Sequence, residues 1–406
     1  MSKDEKRTVL AVHRRRYAEL KGKKEKGRFL DEFRALAGFH RKHAIRALNA
    51  KPAQRKRKRG RPKKYSMDAV RLLTRVWKLA DKPCGKLLKP ILPEYLASLR
   101  RHETLDETAA AELLAMSPST LDRRLRHAKP RGGKSRRRAD SLSEHRQKIG
   151  LKIDLWPAGF KQTPGWLEAD TVAHCGGSMS GSFIWTLNLT DAATQWTEMR
   201  PAWNKGAHAV CGALRESLDA IPFPALGLNT DNGPDFLNAH LEREFPSLCP
   251  NAIRSRSRAY CKNDNPHVEQ KNGHAVRGLL GYGRLGREET LPALRDLLAA
   301  ASLFRNLYAP TFKLHEKRRE NARWIKRFEK EPKTPAQRVL ESDAVPESAK
   351  TRVRGLLAAH DLITLRRRVE TLSRAFVALD RLPGPPPCPR PSPTLRRAQR
   401  GPFSPR

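Results

Sequence analysis

The chain has 406 residues and carries 82 Lys and Arg against 42 Asp and Glu, a formal net charge of +40. That excess is far beyond what solubility needs and points to a polyanionic partner, because cations that neutralise phosphates release condensed counterions. Absent are a run of 18 apolar residues to span a bilayer, an apolar signal-peptide core in MSKDEKRTVL, and any CxxC pair among Cys84, Cys175, Cys211, Cys249, Cys261 and Cys388. These absences argue against a membrane protein and a zinc ribbon, and the scattered cysteines read as reduced thiols.

Residues 1–50 read as a helical module. In FLDEFRALAGFHRKHAIRALN, Phe33, Leu36 and Ala37 fit one helical face and Ala44, Ile45 and Leu48 another, with Gly38 at a tight turn between them. This is the layout of a helix-turn-helix whose second helix offers Arg41, Lys42 and Arg46 to a major groove. An ordinary helical hairpin with a solvated basic face is the alternative. Residues 51–65 follow as a basic, flexible linker: nine of the fourteen residues in KPAQRKRKRGRPKK are Lys or Arg. Its RGRP core resembles an AT-hook, which lays arginines (here Arg59 and Arg61) in a narrow minor groove; a plain basic tether fits as well.

A second helical block, 66–127, has an apolar face from Val70, Leu72, Leu73, Val76, Trp77 and Leu79. Within it, ETAAAELLAMSPSTLDRRLR reads as a second helix-turn-helix. Ser117 or Ser119 can cap the later helix, Pro118 suits its first turn, and Arg123, Arg124 and Arg126 follow. Residues 128–160, rich in Gly, Arg and Ser, read as a linker at a domain boundary. At the other end, 286–380 reads as a helical region with an apolar stripe at Leu291, Leu294, Leu297, Leu298 and Leu303. The Pro- and Arg-rich tail, 381–406, reads as disordered.

Between these flanks, 161–285 changes character. GWLEADTVAHCG reads as a buried strand and SFIWTLNLTDAATQWTEMRPAW as a strand hairpin. A helix follows over 205–220, a strand in ALGLNTDNG, a helix over Pro234 to Phe245 and a strand over Ala252 to Tyr260. A long helix opens at Asn265. This is an α/β order with a mixed sheet flanked by helices. Three acids fall at strand ends or just beyond, where such sheets collect their functional groups. Asp170 ends the first strand, Asp231 ends the later one, and Glu269 stands in the first turn of the long helix, with spacings of 61 and 38 residues. A carboxylate cluster is costly unless a cation neutralises it. Hard carboxylate oxygens suit Mg²⁺ or Mn²⁺, and two such ions roughly 3.5–4 Å apart can clamp the attacking and leaving oxygens of a phosphodiester. Taken singly, Asp170 and Asp231 read equally well as turn-capping acids and Glu269 as a helix-start acid.

Asn232 and Gly233 are expected to shape the turn presenting Asp231, with Gly233 supplying a positive φ. His174 is either an accessory group near a phosphate or metal-bound water, or a structural histidine. Arg254, Arg256 and Arg258 alternate on one strand and share a face, which either grips DNA or is solvated. Lys262, Lys271 and Arg277 are further candidates to hold a DNA end.

The segments EADTVAHCGG, TDAATQW, NTDNGPDF and NDNPHVEQKNGHAVRGLLGY together resemble the catalytic core of the DDE transposase and integrase superfamily, most closely its bacterial insertion-sequence transposases. The similarity is strong over about 165–285 and looser through FHRKHAIRAL and LYAPTFKLHEKRR. The resemblance implies a ribonuclease H-like fold, with Asp170, Asp231 and Glu269 as ligands of two Mg²⁺ or Mn²⁺ ions. It implies metal-dependent cleavage at insertion-sequence ends and strand transfer into target DNA, in a bacterial cytoplasm and at its nucleoid. Where relatives often carry Glu, this chain has Asp235. Joining two element ends in one event calls for a homo-oligomer, at least a dimer on DNA. Two other readings remain: a non-catalytic regulator derived from a transposase, and a nuclease acting on RNA–DNA hybrids.

Overall fold

The computed structural model describes residues 3–50, 64–128, 157, 159–257, 266–320 and 323–381. Arg59 and Arg61 of the basic linker, most of the 128–160 segment, Arg258, Lys262 and the tail beyond 381 lie outside the described residues. The chain divides into two units, one up to residue 64 and one from residue 65 onward.

The described residues of the first unit form three helices, α1 (Lys3–Glu19), α2 (Lys23–Ala37) and α3 (Arg41–Asn49). Tyr17, Leu30, Phe33, Ala37, Ala44 and Leu48 are its buried core. Their helical spacing puts one apolar stripe of each helix inward. Gly38 ends α2 at φ +67 and its N–H donates to the Arg34 carbonyl, a left-handed cap that favours glycine. The turn expected at Gly38 is therefore present, and Lys42 and Arg46 on α3 are exposed. Arg41 is partly engaged, 2.7 Å from Asp31 of α2.

The second unit opens with α4 (Met67–Leu79), α5 (Gly85–His102), α6 (Glu107–Ala115) and α7 (Pro118–Leu125). The Ser117 hydroxyl caps α7 by accepting from the Thr120 N–H, so the α6–α7 turn forms as its sequence indicates. The expectation that 66–127 stands as a separate module is corrected. Leu73, Trp77, Leu92 and Leu113 belong to one core with Leu187, Trp196, Leu298 and Phe376. These contacts join residues hundreds of positions apart, and local periodicity does not encode them.

The sheet comprises β1 (Trp166–Ala173), β2 (Ile184–Asp191), β3 (Thr197–Trp203), β4 (Gly227–Thr230) and β5 (Ile253–Arg256), in the order β3-β2-β1-β4-β5. β2 runs antiparallel to β1 and β3, whereas β4 is parallel to both β1 and β5. This mixed five-stranded topology, with α8 (Ala207–Ala220) and α9 (Ala239–Leu248) in its crossovers, is that of a ribonuclease H-like core. The helix expected from Pro234 begins later, at Ala239. Asn238 caps it by accepting from Leu241 N–H, while the preceding residues turn inward around buried Asp235 and Phe236.

After the sheet come α10 (Pro266–Lys271), one π-helical turn (Asn272–Val276) and α11 (Arg277–Leu280). α12 (Leu291–Tyr308) covers the open edge of β3. Its buried Asn306 accepts from Thr197 N–H and donates to the Thr197 carbonyl, and Ser302 Oγ accepts from Met199 N–H. Side chains one helical turn apart thus satisfy strand groups two residues apart, which closes the edge to further pairing. The region 286–380 was expected to be helical throughout. It contains instead an antiparallel hairpin, β6 (Leu314–Glu320) and β7 (Arg323–Phe328), before α13 (Pro335–Glu341), α14 (Glu347–Ala359) and α15 (Leu362–Asp380). Among the described residues no helix is long and apolar enough to cross a membrane, and Cys84, Cys175, Cys211 and Cys249 are unpaired.

Asp361 ties α5 to α15. It caps α15 through Ile363 and Thr364 N–H and accepts from Ser98 Oγ at 2.8 Å and Arg101 at 2.6 Å, with His102 Nε2 also at 2.6 Å. Burial would raise its pKa, but the hydrogen bonds from Arg101, His102, Thr364 and Ser98 outweigh that and hold it well below the usual carboxylate range. Its stabilising contribution is therefore present above the unfolded value, about 3.9, and is lost as pH falls through the folded one. Asp361→Asn is expected to cost about 2 kcal/mol in urea melts at pH 7. The gap to the parent should narrow below about pH 4; a gap independent of pH would contradict the ionic origin.

Candidate active site

The site is built where two parallel strands part. β1 and β4 are paired up to Ala169 and Thr230, and the next residues on each are Asp170 and Asp231. β1 itself runs on to Ala173, paired only with β2. Asp170 is therefore mid-strand, which corrects its expected place at the strand end; what ends there is the pairing with β4.

Three contacts bring the helix carrying Glu269 onto this strand. The Glu168 carboxylate accepts from His267 N–H at 2.9 Å and Val268 N–H at 3.0 Å, two of the first amides of α10. Such amides lack partners within their own helix, and a carboxylate there also meets the positive end of the peptide dipoles. On the next turn Asn272 Nδ2 donates to Asp170 Oδ2 at 2.7 Å, and Asn188 Nδ2, from β2, donates to Asn272 Oδ1 at 2.8 Å. Glu269 and Asn272 are three residues apart, so they share a helix face. Glu269 is exposed, in the first turn of α10 as expected. The long helix expected from Asn265 is interrupted at Asn272 by the π turn, a local widening that recurs at functional sites.

The electrostatics mark the pair of aspartates. Burial, then the negative charges of Asp231 and Asp235, push the Asp170 carboxyl up to about 7. The hydrogen bonds from Thr171 N–H and Asn272 oppose that rise without cancelling it. Asp235 is almost fully buried; it accepts from Thr171 Oγ1 at 3.0 Å and lies 3.1 Å from Lys205 Nζ. Glu168, buried beside Glu269, is pushed up to about 8, chiefly by burial.

A hard divalent cation fits this donor chemistry: Asp170 and Asp231 offer carboxylate oxygens whose negative charges, with that of Asp235, disfavour one another's ionised forms. Among the described residues no three His, Cys, Asp or Glu side chains converge as a complete ligand set. The structure brings Asp170 and Asp231 together and leaves Glu269 exposed on the adjoining helix turn.

Asn232 and Gly233 lie in the turn after β4, but the positive φ expected of Gly233 is not what that position requires. Gly233 has no positive φ. A Cβ there would stand 2.0 Å from Asp235 Oδ1 and 2.7 Å from Asp231 Oδ1, so close approach of two carboxylates requires glycine. Gly233 N–H donates to Asp231 Oδ1 at 2.8 Å. Asn232 bridges, donating to the Ser257 carbonyl and accepting from Arg256 at 3.2 Å.

Several residues expected at a DNA surface turn inward. Arg254 donates to the Phe236 carbonyl and lies over the Phe245 ring, so with Arg256 it secures the loop bearing Asp231. Arg277 donates to the Ala173 carbonyl at 2.6 Å, fastening α11 to the end of β1. Lys271 lines a cavity of about 40 Å³ with Gln195, His274, Arg305 and Asn306. Burial, then Arg305 and Arg338, push it down to about 7. His174 is fully buried, paired with Thr186 Oγ1 at 2.8 Å and pushed down to about 3 by burial. It is a neutral packing residue, which removes it as an accessory group at the phosphate. Arg123 is exposed and Arg124 half-buried on α7.

The residues that sequence reading missed are Glu168 and Asn188; Asp235 was noted only as a departure from relatives, without its place beside Thr171 and Lys205. Glu168 stands two positions before Asp170 on a strand and so shares its face, a signal that was available. Glu168→Ala is expected to accelerate amide hydrogen exchange at His267 and Val268 and to destabilise the protein by about 1–3 kcal/mol. Glu168→Gln, which keeps an acceptor oxygen, should restore part of the protection; unchanged exchange in the alanine variant would refute the anchoring role.

No family model matches the sequence. The chain is 41% identical over 310 residues to the uncharacterized protein y4rM of Sinorhizobium fredii (strain NBRC 101917 / NGR234), covering 75% of this chain and 87% of that one. Similar solved structures include the catalytic core domain of BIV integrase, at 16% identity, TM-score 0.26, 35% of this chain and 83% of that one. Another is the simian T-cell lymphotropic virus intasome in complex with PP2A regulatory subunit B56 gamma, at 16% identity, TM-score 0.29, 53% of this chain and 68% of that one. The extent of the match to y4rM places the protein by sequence: it belongs to the y4rM family.

Proposed function

We propose that the protein is a DNA transposase that cleaves the ends of an insertion sequence and transfers the freed strands into target DNA. The observation that carries this reading is the Asp170–Asp231 juxtaposition at the parting of β1 and β4, with the helix bearing Glu269 pinned beside it. Asp170 and Asp231 would hold Mg²⁺ or Mn²⁺, with Glu269 as the third ligand. Bound divalent ions of this kind lower the pKa of an attacking water or 3′-hydroxyl and stabilise the departing oxygen.

The chain's own groups do the positioning. Asn272 orients the Asp170 carboxylate, Gly233 N–H orients that of Asp231, and Arg256 and Asn232 fix the turn between strand and loop. The raised Asp170 pKa means that part of the apo population is protonated near neutral pH, so ion binding releases a proton there. Exposed Lys42 and Arg46 on α3, and Arg123 on α7, suit the phosphates and grooves of duplex DNA. The two helix-turn-helix pairs favour duplex ends over an RNA–DNA hybrid. Joining two ends in one event requires two catalytic centres, hence at least a dimer on DNA, working in the bacterial cytoplasm at the nucleoid.

Asp231→Asn is expected to abolish Mg²⁺-dependent cleavage and strand transfer on duplexes bearing the element's terminal inverted repeats, while leaving duplex affinity within about twofold, because one carboxylate contributes little to phosphate binding. Cleavage retained by this variant would overturn the site assignment.

A further inference from the structure

The turn after α4 holds two consecutive non-glycine residues on the left-handed side, Asp81 at φ +64 and Lys82 at φ +59. L side chains rarely adopt that region, and such strain persists only where neighbouring contacts over-determine it. Here they do. Asp81 N–H donates to the Lys78 carbonyl, Lys82 N–H to the Trp77 carbonyl at 2.8 Å, and Trp77 Nε1 to the Pro83 carbonyl at 3.0 Å. The turn sets the Asp81 carboxylate between two arginines. Arg305 Nη2, from α12, lies 2.7 Å from Asp81 Oδ2, and Arg366, from α15, lies 4.0 Å from Asp81 Oδ1.

Arg305 also grips the helix of the candidate site. Its Nη1 donates to His274 Nδ1 at 3.2 Å, and its Nη2 donates to the His274 carbonyl at 3.4 Å. His274 is the central residue of the π turn Asn272–Val276. Asn272 opens that turn and donates to Asp170 Oδ2, and Glu269 stands three residues before it. One guanidinium, its side chain only 14% exposed, therefore spans from the strained turn to the widened one. Strained backbone and π turns both collect at functional sites, and here a single side chain joins the two.

We propose that Arg305, held by Asp81, is a positioning residue for the divalent-cation seat, a role that rests on the metal-dependent reading of Asp170 and Asp231. Arg305 fixes the π turn, the π turn fixes Asn272, and Asn272 orients the Asp170 carboxylate. A guanidinium suits the task because its donors are set in a rigid fork. It reaches a carboxylate, a carbonyl and a ring nitrogen at once, which the compact ammonium of a lysine does not. Asp81 supplies the fixed end: its own backbone is locked by the α4 turn, so the carboxylate that holds Arg305 has little freedom to move. The chain thereby braces its candidate site from the helical block α4–α7 as well as from the sheet.

The test measures the Mn²⁺ affinity of the full chain from the electron paramagnetic resonance signal of free Mn²⁺, together with amide hydrogen exchange at Asn272–Val276. Arg305→Lys keeps a positive charge for Asp81 but loses the fork. It is expected to weaken Mn²⁺ binding about tenfold, the low end of what removing a ligand's supporting partner costs, and to speed exchange across the π turn. Asp81→Asn keeps a side chain that accepts the left-handed backbone and should move both readouts in the same direction without altering Arg305 itself. Asp361→Asn, which loosens α5 from α15 instead, should keep its Mn²⁺ affinity within about twofold of the parent, as expected of an independent site. Affinities within about twofold of the parent in both Arg305→Lys and Asp81→Asn overturn the positioning role alone. An equal loss in Asp361→Asn overturns it in favour of general destabilisation. If the parent itself binds no Mn²⁺, the metal-seat reading falls and the positioning role with it.

Discussion

One buried carboxylate joins the parts of the candidate site. Glu168 accepts the first two amides of α10 from within β1, and Asp170 stands two residues along the same strand face. Sheet and helix are thereby registered, because the helix start cannot slide without stripping two N–H groups of their acceptor, each costly to leave unsatisfied when buried. The Asn188–Asn272–Asp170 chain fixes the rotation of the same helix. The site's exposed acid, Glu269, is thus carried on a frame set by interior groups, while its own side chain remains free of the burial that raises Glu168 and Asp170.

The same economy governs the cations. A chain with a net charge of +40 invites the view that its arginines face DNA. Near the acids they do otherwise: Arg254, Arg256 and Arg277 donate to Phe236, Asn232 and Ala173, holding loops and strand ends in place. Guanidinium groups suit this work because several fixed donors can satisfy carbonyls that irregular loops leave open. Other cations are exposed to solvent, among them Lys42 and Arg46 on α3 and Arg123 on α7. Positive charge therefore serves two functions, internal bracing near the site and display to solvent, and composition alone does not separate them.

How much of this was legible in the sequence follows from the range of the forces involved. The alternation in SFIWTLNLTD and the apolar ALGLNT located strands whose neighbours the topology then joined; Asp231 follows a recognisable strand and Glu269 opens a helix, whereas Asp170 stands inside β1, whose continuation past the pairing with β4 the sequence does not show. Gly233 was legible as a turn residue but not in its reason, since carboxylate crowding depends on Asp235 turning back toward Thr171. The surroundings of Lys271 and the choice between the two roles of His174 were not legible, because burial, not residue type, decides whether a cation or an imidazole meets solvent. The hairpin at 314–328 was hidden by its Lys and Arg content, which helices share, although its register follows a period of two. That α4–α7 share one core with the sheet, and that Asp361 ties α5 to α15 through Ser98, depends on residues that only the folded chain brings together.

The central claim is that Asp170 and Asp231 form the seat of a divalent cation, completed by Glu269. Anomalous diffraction from crystals of the full chain soaked in Mn²⁺ tests it most directly. A peak within about 2.0–2.4 Å of carboxylate oxygens from both Asp170 and Asp231 is the expected result. A structure at full Mn²⁺ exposure with those carboxylates in contact and no anomalous density between them would contradict it.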